Sequence, residues 1–203
     1  MWIFRSNKKK KILIIIGHSN PQPTLPDFFM DFYREGAEKE GHEVKTIRLG
    51  DLKFDPILHK GYREIQELEP DLVKVQEEIK WCDHLVIAYP SWWSTMPAIL
   101  KGMFDRMWLP QFAYRFHEHG YWWDRLLKGR SAHVFVTSDS HPFLARFMFG
   151  DTTNEIKRAI LWFSGFSPIR ITKIGPVQFF EKRKKRIEEK WGNRLIRLGR
   201  KAM

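Results

Sequence analysis

The feature that most limits how this chain can fold is an unbroken run of aliphatic residues near its start, Ile12–Ile16. A strand with one wet face alternates polar and apolar residues, whereas an unbroken apolar run is typical of a parallel strand covered on both faces. The run follows Lys8–Lys11, as the apolar part of a secretion signal follows its basic part, but no small-residue cleavage site comes after it. Its five residues also fall far short of the ~18 that a membrane-spanning helix needs. We therefore predict a buried first strand and no membrane span.

Strand-like and helix-like segments alternate through the rest of the chain. Further strands are predicted at residues 44–49, 84–89, 132–136 and 169–174, and helices at 27–40, 70–81, 97–108, 153–163 and 181–198. Proline in the first turn and apolar residues along one face favour the helix over 70–81. Five strands that alternate with helices predict an α/β fold, a doubly wound five-stranded parallel sheet with helices on both faces.

The fold class indicates where a ligand should bind. In a doubly wound sheet, ligands bind at the carboxyl ends of the strands, near the point where the strand order reverses. We therefore expect the site in the loops at 17–25, 90–96 and 137–142. Residues 109–131 form the one long connection, and its content of aromatic residues and histidine is unusual for a passive loop.

The formal net charge of +11 is carried by the two ends of the chain. Residues 5–11 contribute +5 and residues 181–203 contribute +7, whereas residues 12–180 hold 20 basic and 21 acidic side chains. We expect a basic N-terminal extension at 1–11, one domain at 12–180 and a basic C-terminal helix at 181–203. Basic ends can make peripheral contact with an anionic surface. Nucleic-acid binding is not expected, because no RRM, KH, zinc-finger or helix-turn-helix pattern is present.

Several polar residues outside these loops are expected to have structural roles. Cys82 is the only cysteine, which excludes an internal disulfide and indicates a cytoplasmic location, and its thiol is expected to be buried and inert. The segment His117–His119 could suggest a metal site, but its spacing without a further ligand favours a solvated loop, and no metal is expected. Asp105 and Arg106 are expected to form an ion pair.

The loop after the first strand, Gly17–Phe29, could hold a phosphate. It carries Ser19, Asn20 and Thr24 ahead of a helix, whose N-terminal amides can bind a phosphate group. It lacks the GxGxxG and P-loop patterns, so neither a Rossmann dinucleotide site nor a phosphotransferase is indicated. From this segment alone, a simple turn with an N-capping hydroxyl is equally consistent.

The loop after the third predicted strand combines a tight turn with two adjacent tryptophans, Trp92 and Trp93. A flat, electron-poor ring such as an isoalloxazine needs aromatic walls and hydrogen-bond partners at its edge, and this turn can supply both. The alternative is that the two rings pack in a core or a dimer interface. The ligand interpretation is favoured, because an exposed pair of tryptophans in a turn needs a reason.

The same segment carries a family resemblance. The sequence PSWWSTMPAILKGMFDRMWLPQFAYRF, residues 90–116, resembles the NAD(P)H:quinone oxidoreductases of the flavodoxin superfamily, the DT-diaphorase-like group. KILIIIGHS, DLKFDPIL, WCDHLVIAYP and GFSPI match the same family in the same order, so the resemblance spans residues 10–176. It implies a flavodoxin-like sheet with the strand order 2-1-3-4-5 and a flavin-binding domain at 12–180. It also implies a homodimer with a bound FMN or FAD at each of two interface sites.

The resemblance also assigns residues to the two halves of the site. Next to the flavin it places His18, Thr24, Leu25, Pro90, Ser91, Trp92, Trp93, Ser94, Thr137, Ser138 and Asp139. In the substrate pocket it places Tyr114, Phe116, Phe143 and Phe149, the first two reaching into the pocket of the partner subunit. The implied reaction is hydride transfer from NADH or NADPH through the flavin to a quinone or a similar electron-poor aromatic acceptor.

Several positions depart from the family pattern. Residues 24–26 read Thr-Leu-Pro where many members have a Ser-Phe-Asn-like sequence, and residues 138–142 replace a Gly-Gly turn. The Tyr and His that DT-diaphorase-like proteins use near the flavin fall on Phe143 and Phe149, neither of which can donate a proton. The catalytic acid is therefore unknown. The candidates that remain are Ser138 and His141.

Two other functions stay open at this point. A flavodoxin-type electron carrier would also hold a flavin, although such carriers are typically smaller and acidic, whereas this chain is basic. Some relatives are regulatory subunits of potassium-efflux systems, and the basic C-terminal helix could serve as a docking face. Steady NAD(P)H oxidation with a quinone would separate an enzyme from a carrier.

Overall fold

A computed structural model describes residues 8–118 and 121–202. The strands are β1 Lys11–Ile16, β2 Glu43–Arg48, β3 His84–Pro90, β4 Tyr114–Phe116, β5 Trp123–Arg125, β6 Ser131–Thr137 and β7 Ile169–Ile174. The helices are α1 Leu25–Lys39, α2 Pro70–Trp81, α3 Ala98–Met107, α4 Pro142–Phe149 and α5 Phe180–Lys201. A 3-10 turn covers Leu49–Asp51, and a π-helical segment covers Glu155–Trp162.

Five parallel strands form one sheet in the order β2-β1-β3-β6-β7, and β4 pairs with β5 as a separate antiparallel hairpin. Because β6 and β7 are the fourth and fifth strands of the sheet along the chain, the predicted order 2-1-3-4-5 is confirmed. Within the described residues, no helix combines the length and the apolar character needed to cross a membrane.

The sheet separates two apolar cores, because its central strands are apolar on both faces. In β1, Leu13 and Ile15 join the core beneath α2 and α3, and the other three residues of Ile12–Ile16 join the core beneath α1 and α5. None of these five residues exposes more than 1% of its surface. The predicted buried first strand is confirmed.

The basic helix α5 packs along α1 and closes the second core. Its buried face carries Ile187, Trp191 and Leu195, which share that core with the isoleucines of β1. At Gly199 any side chain would collide with the backbone carbonyl of Tyr33 in α1, so glycine permits the two helix backbones to touch. The charged side of α5 is thus held on a rigidly anchored helix.

The hairpin β4–β5, the helix α4 and the short 3-10 turn were not predicted. The connection at 109–131 contains the hairpin β4–β5, where Trp123 stacks on Phe163 with ring centroids 4.5 Å apart. Helix α4 begins five residues after β6 ends and has no buried residue; its eight residues are too few for an apolar period to distinguish a helix from a strand. The helix predicted over 153–163 is present as the π-helical segment.

The expected ion pair between Asp105 and Arg106 is wrong. Asp105 pairs with Lys101 one turn back, at 2.6 Å, whereas the side chain of Arg106 is fully buried and pairs with Glu69 at 3.0 Å. Arg106 also donates to the backbone carbonyls of Asp55 and Glu67. Neighbouring residues on a helix point in different directions, so Arg106 enters the core side while Asp105 stays outside.

Candidate functional site

Loops meet at the carboxyl edge of the sheet, where β1, β3 and β6 lie side by side. Backbone hydrogen bonds extend the pairing past the strand ends. Gly17 N donates to the Ala88 carbonyl at 2.8 Å, and Ser91 N donates to the Thr137 carbonyl at 2.7 Å. The loops predicted to carry the site are therefore neighbours in space, because parallel strands end at the same edge of a sheet.

The turn after β3 has Trp93 and Ser94 at its tip. Trp92 and Thr95 exchange two backbone hydrogen bonds of 3.0 and 3.1 Å around them. The φ angles of Trp93 and Ser94 are 51° and 63°. Two successive positive φ values are typical of a type I′ turn, which favours Asn and Gly and strains a tryptophan. The residue Trp93 is nevertheless 99% exposed, so its ring is held out into the space above the sheet.

The loop after β6 is supported from beneath by Gly175. Ser138 N donates to the Ile174 carbonyl, and Val177 N donates to the Ser138 carbonyl, both at 3.0 Å. A Cβ atom on Gly175 would lie 2.8 Å from the Ser138 carbonyl oxygen and 2.7 Å from that of Ser140, so only glycine permits this approach. The loop backbone is therefore fixed, and its side chains are presented at the edge of the sheet.

A cavity of about 410 Å³ lies between these two loops. Its volume falls within the roughly 300–1,000 Å³ that small-molecule sites occupy. Its lining brings together six of the predicted residues, Ser91, Trp93, Ser94, Ser138, Asp139 and Phe149. The other lining residues are Val136, Ser140, Pro142, Ala145, Thr152 and Lys173.

Lys173 is the cation in this lining, and sequence reasoning missed it. It lies beside Val136 in the register of β6 and β7, which turns both side chains toward the cavity side of the sheet. Its Nζ is 3.5 Å from Asp151 Oδ1. A hydrogen bond from Thr153 lowers the pKa of Asp151, and Lys173 lowers it further, so the carboxylate stays ionised. The sequence feature that could have pointed to Lys173 is its place one position before the end of the last predicted strand, at the edge of the sheet where ligands bind.

At the start of α1, an acidic side chain occupies the place where a phosphate was expected. Asp27 Oδ2 accepts hydrogen bonds from Thr24 N at 2.7 Å and from Thr24 Oγ1 at 2.6 Å. Asp27 Oδ1 lies 3.2 Å from Arg48 Nε, which balances its charge. The Thr24 hydroxyl is thus committed to Asp27, and the neighbouring Leu25 packs against the core beneath α1.

His18 and Trp92 contact each other at the same edge without lining the cavity. Their ring centroids are 5.2 Å apart in an edge-to-face arrangement, and His18 Nδ1 accepts from Asn20 N at 2.9 Å. Burial lowers the pKa of His18, and the nearby Arg48 lowers it further against the opposing effect of Asp27. His18 is therefore neutral near pH 7 and offers a polar edge rather than a positive charge.

The remaining predicted flavin contacts are strand ends. Pro90 and Thr137 are the last residues of β3 and β6 and pair with each other in the register of the sheet. Thr137 is buried, and its carbonyl is used by the Ser91 amide. These two residues position the loops that follow them rather than lining the cavity.

His141 caps α4 at the rim of the site. Its Nδ1 accepts a hydrogen bond of 3.3 Å from Phe143 N, so the neutral ring carries its proton on Nε2. Phe143 is mostly exposed and does not line the cavity, whereas Phe149 at the other end of α4 does. Of the two candidate donors, Ser138 lines the cavity and His141 lies next to a residue, Pro142, that lines it.

Tyr114 and Phe116 lie on the hairpin, away from the cavity of their own chain. Their ring centroids are 5.1 Å apart, and both pack on Phe163. On the same hairpin, His117 Nε2 lies 3.1 Å from Asp124 Oδ1, and His119 lies outside the described residues. Within the described residues, no cluster suits a metal ion.

A larger cavity of about 540 Å³ runs along the π-helical segment. It is lined by Trp162, Phe163, Phe166 and Ile169 together with polar residues, and none of the predicted site residues lines it. We assign the site to the smaller cavity, because ligands of doubly wound sheets bind at the carboxyl edge and the larger cavity lies beside an edge strand. Elsewhere, Cys82 is buried, and burial raises the pKa of its thiol to about 12, so it is inert as expected.

A comparison with protein families matches residues 10–195 to a family described by its flavodoxin-like fold. The chain belongs to this family. The matched range includes every strand of the sheet and most of α5.

Individual proteins agree with this assignment. A ribosyldihydronicotinamide dehydrogenase-like protein of Penicillium crustosum is 29% identical over 187 residues, which cover 77% of this chain and 69% of the relative. NAD(P)H dehydrogenase (quinone) 1 of Cavia porcellus is 30% identical over 129 residues, which cover 53% of this chain and 46% of the relative. The match thus spans less than half the length of the second relative. An NAD(P)H:quinone oxidoreductase structure from Methanothermobacter marburgensis shares the fold, with a TM-score of 0.76, 22% identity and coverage of 96% of this chain and 100% of that one.

The residues around the cavity suit a flavin ring. Trp93 offers a flat aromatic wall, and the hydroxyls of Ser91, Ser94 and Ser138 can hydrogen-bond a polar ring edge. The ammonium group of Lys173 suits a ring that gains negative charge on reduction. The start of α1 suits a phosphate less well, because the carboxylate of Asp27 already occupies its first turn.

Proposed function

We propose that the chain is a flavin-dependent oxidoreductase that takes a hydride from NADH or NADPH and passes two electrons to a quinone or a similar electron-poor aromatic acceptor. The observation that carries the proposal is the cavity at the carboxyl edge, with the exposed ring of Trp93 on its wall. An NAD(P)H dehydrogenase (quinone) among the relatives supports the reaction class. The flavin, FMN or FAD, supplies the hydride-accepting ring when it is bound.

The chain's own residues bind, orient and balance charge. Trp93 provides a stacking wall, and Ser91 and Ser94 provide hydrogen bonds to the ring edge. Lys173 compensates negative charge within the cavity, where it acts more strongly than in open water. Phe149 adds an apolar side chain to the lining, which suits an aromatic acceptor. We assign the proton that a quinone needs to His141 Nε2, or to solvent relayed through the Ser138 hydroxyl, because these are the proposed donors at or next to the cavity.

The proposal includes a homodimer in the cytoplasm. Tyr114 and Phe116 would line the cavity of the partner subunit, because the hairpin holds them away from the cavity of their own chain. The exposed indole of Trp162 and the apolar lining of the larger cavity beside β7 offer a surface for a second copy. The single buried Cys82 supports a reducing compartment.

The first test is the visible spectrum of the purified chain, followed by identification of the flavin released on denaturation. A bound flavin that turns over NADH or NADPH steadily with a quinone supports the enzyme. A bound flavin with no turnover unless a separate reductase is added would favour an electron carrier instead. A chain that takes up neither FMN nor FAD would refute the proposal.

A further inference from the structure

The exposed side of α5 carries a row of cations that the cavity does not use. The residues Arg183, Arg186, Lys190, Arg194, Arg197 and Lys201 follow one another at intervals of three or four positions, and all are exposed. This spacing returns to the same side of a helix at each turn. At 1.5 Å per residue, the row is about 27 Å long. We call these six residues the basic stripe.

The charge of the stripe is not balanced by its surroundings. In the described part of the chain, none of its six side chains forms an ion pair with a carboxylate, although ion pairs occur elsewhere, as between Lys39 and Glu35. On α5 itself, Glu181 and Glu188 lie on the opposite side of the helix from the stripe, as 3.6 residues per turn require, and Glu189 lies beside Arg186 at the edge of the stripe. One carboxylate of α5 therefore adjoins six cations. The stripe is thus a one-sided array of positive charge.

The anchoring of α5 limits how this array can bind. Its apolar face is buried against α1 and the sheet through Ile187, Trp191 and Leu195. The close approach at Gly199 holds the two helix backbones together along this contact. The helix therefore cannot roll over and insert an apolar face, as interfacial amphipathic helices do. Any partner is held by charge, from outside.

We propose that the basic stripe docks the protein on an anionic lipid surface. A single outward row of cations can place all its charges against a flat anionic plane at once, and each contributes about a fivefold gain in binding. Single-stranded nucleic acid is disfavoured, because it needs successive aromatic side chains for stacking, whereas Trp191 of α5 is buried and Phe179, just before α5, offers a single exposed ring. Duplex DNA is the main competing occupant, because Lys10 donates to the Ala202 carbonyl at the end of α5 and so brings a second basic segment beside the stripe; the test therefore includes duplex DNA.

The position of the stripe gives docking a consequence for the cavity. Arg183, Arg186 and Lys190 line a small cleft with Gly175–Val177, the segment that supports the loop after β6. The N-terminal end of the stripe therefore lies at the carboxyl edge of the sheet. When the protein is docked, its cavity therefore lies near the lipid, where quinones with long tails partition. The relevance of the quinones rests on the proposed function, whereas the docking itself does not.

The test is co-sedimentation of the full-length protein with vesicles of phosphatidylcholine containing one third phosphatidylglycerol, at ~0.1 M salt, where charges are screened beyond about 10 Å. The stripe variant is Arg186→Gln, Lys190→Gln and Arg197→Gln combined. We expect partitioning about 100-fold weaker than that of the unchanged protein, because three charges are lost at about fivefold each. Vesicles of phosphatidylcholine alone should bind neither protein.

The matched control is Lys53→Gln, Arg63→Gln and Lys74→Gln combined, which loses the same charge from exposed positions outside α5. This variant should retain binding to within a few-fold, and circular dichroism should show both variants folded. Equal losses in the two variants would assign binding to net charge and overturn the stripe. Failure of the unchanged protein to bind anionic vesicles would overturn docking, and so would tighter, stripe-dependent binding to duplex DNA at the same salt.

Discussion

Replacing Trp93 by glycine should stabilise the protein without flavin and weaken its hold on flavin. Trp93 has a φ of 51° and is 99% exposed, so its ring adds strain but no buried surface. Left-handed backbone costs a side-chain-bearing residue roughly 1–2 kcal/mol, which glycine avoids. Glycine in turn costs roughly 0.5–1 kcal/mol more chain entropy on folding. The net gain is about 0.5–1 kcal/mol, or about 1–4 °C in the melting temperature of a chain of this size.

The opposite effect is expected on flavin binding. Stacking of a flat heteroaromatic ring on an aromatic side chain is worth about 1–3 kcal/mol, by analogy with bases on aromatic platforms. Loss of the Trp93 ring should therefore raise the dissociation constant of FMN or FAD roughly 5- to 150-fold. Stability and flavin affinity are expected to change in opposite directions because the strained backbone at Trp93 is what holds the ring where a flavin can stack on it.

Two control variants separate strain from stacking. Trp93→Ala removes the ring but keeps the strain, so it should lose the flavin affinity without gaining stability. Ser94→Gly relieves the strain of a φ of 63° at the next residue but leaves the Trp93 ring in place. This variant should gain stability and keep the part of the flavin affinity that stacking on Trp93 provides. The measurements are thermal unfolding of the flavin-free protein and titration of flavin fluorescence. Unchanged flavin affinity in both Trp93 variants, or clear destabilisation by Trp93→Gly, would refute the reasoning.

Three further predictions follow from the contacts around the cores and the cavity. Arg106→Met should lower the free energy of unfolding by about 2–4 kcal/mol in denaturant titrations, because it leaves the carboxylate of Glu69 and the carbonyls of Asp55 and Glu67 without their buried donor. Burial raises the pKa of Glu69, but hydrogen bonds from Arg106 and the backbone outweigh it and lower the pKa overall. The pair's contribution to the free energy of unfolding should therefore be complete above the pKa of Glu69 in the unfolded chain, about 4.3. It should disappear as the pH falls through the lower pKa of Glu69 in the folded protein. A stability that does not change with pH in acid would contradict this. Gly199→Ala should destabilise by about 1–3 kcal/mol or more in the same titrations, because its methyl group collides with the carbonyl of Tyr33, and no loss would mean that the helices can separate freely. Lys173→Gln should make the reduction potential of bound flavin more negative by tens of millivolts in spectroelectrochemistry, because a positive charge that favours the reduced ring is lost. For two electrons, ~30 mV corresponds to about 1.4 kcal/mol. An unchanged potential would show that the charge of Lys173 does not reach the ring.

Much of the fold could be predicted, because the relevant signals are local. The helix Pro70–Trp81 begins and ends as expected, since proline suits its first turn and its buried residues recur along one face. Helix α4 was missed because its eight residues, six of them apolar, are too short a run to be told from a strand by periodicity. The hairpin was missed because its strands are only three residues long and depend on stacking against Phe163, far along the chain.

The candidate site was partly predictable for the same reason. The parallel sheet predicts that the loops after β1, β3 and β6 meet at one edge, because parallel strands end on the same side. Six of the predicted residues line one cavity there. Lys173 could not be placed, because its direction depends on its register against Val136 in the neighbouring strand. The predicted ion pair Asp105–Arg106 was wrong because Arg106 forms its ion pair with Glu69, which is distant in sequence.

By itself, the sequence determined which segments are buried and that they alternate between strand and helix, because burial of apolar side chains follows patterns within a few residues. Only the tertiary structure decided the strained outward pose of Trp93, the cation beside the cavity and the unbalanced stripe on α5. Each of these depends on which groups from distant parts of the chain come within a few ångströms, and no local pattern encodes that.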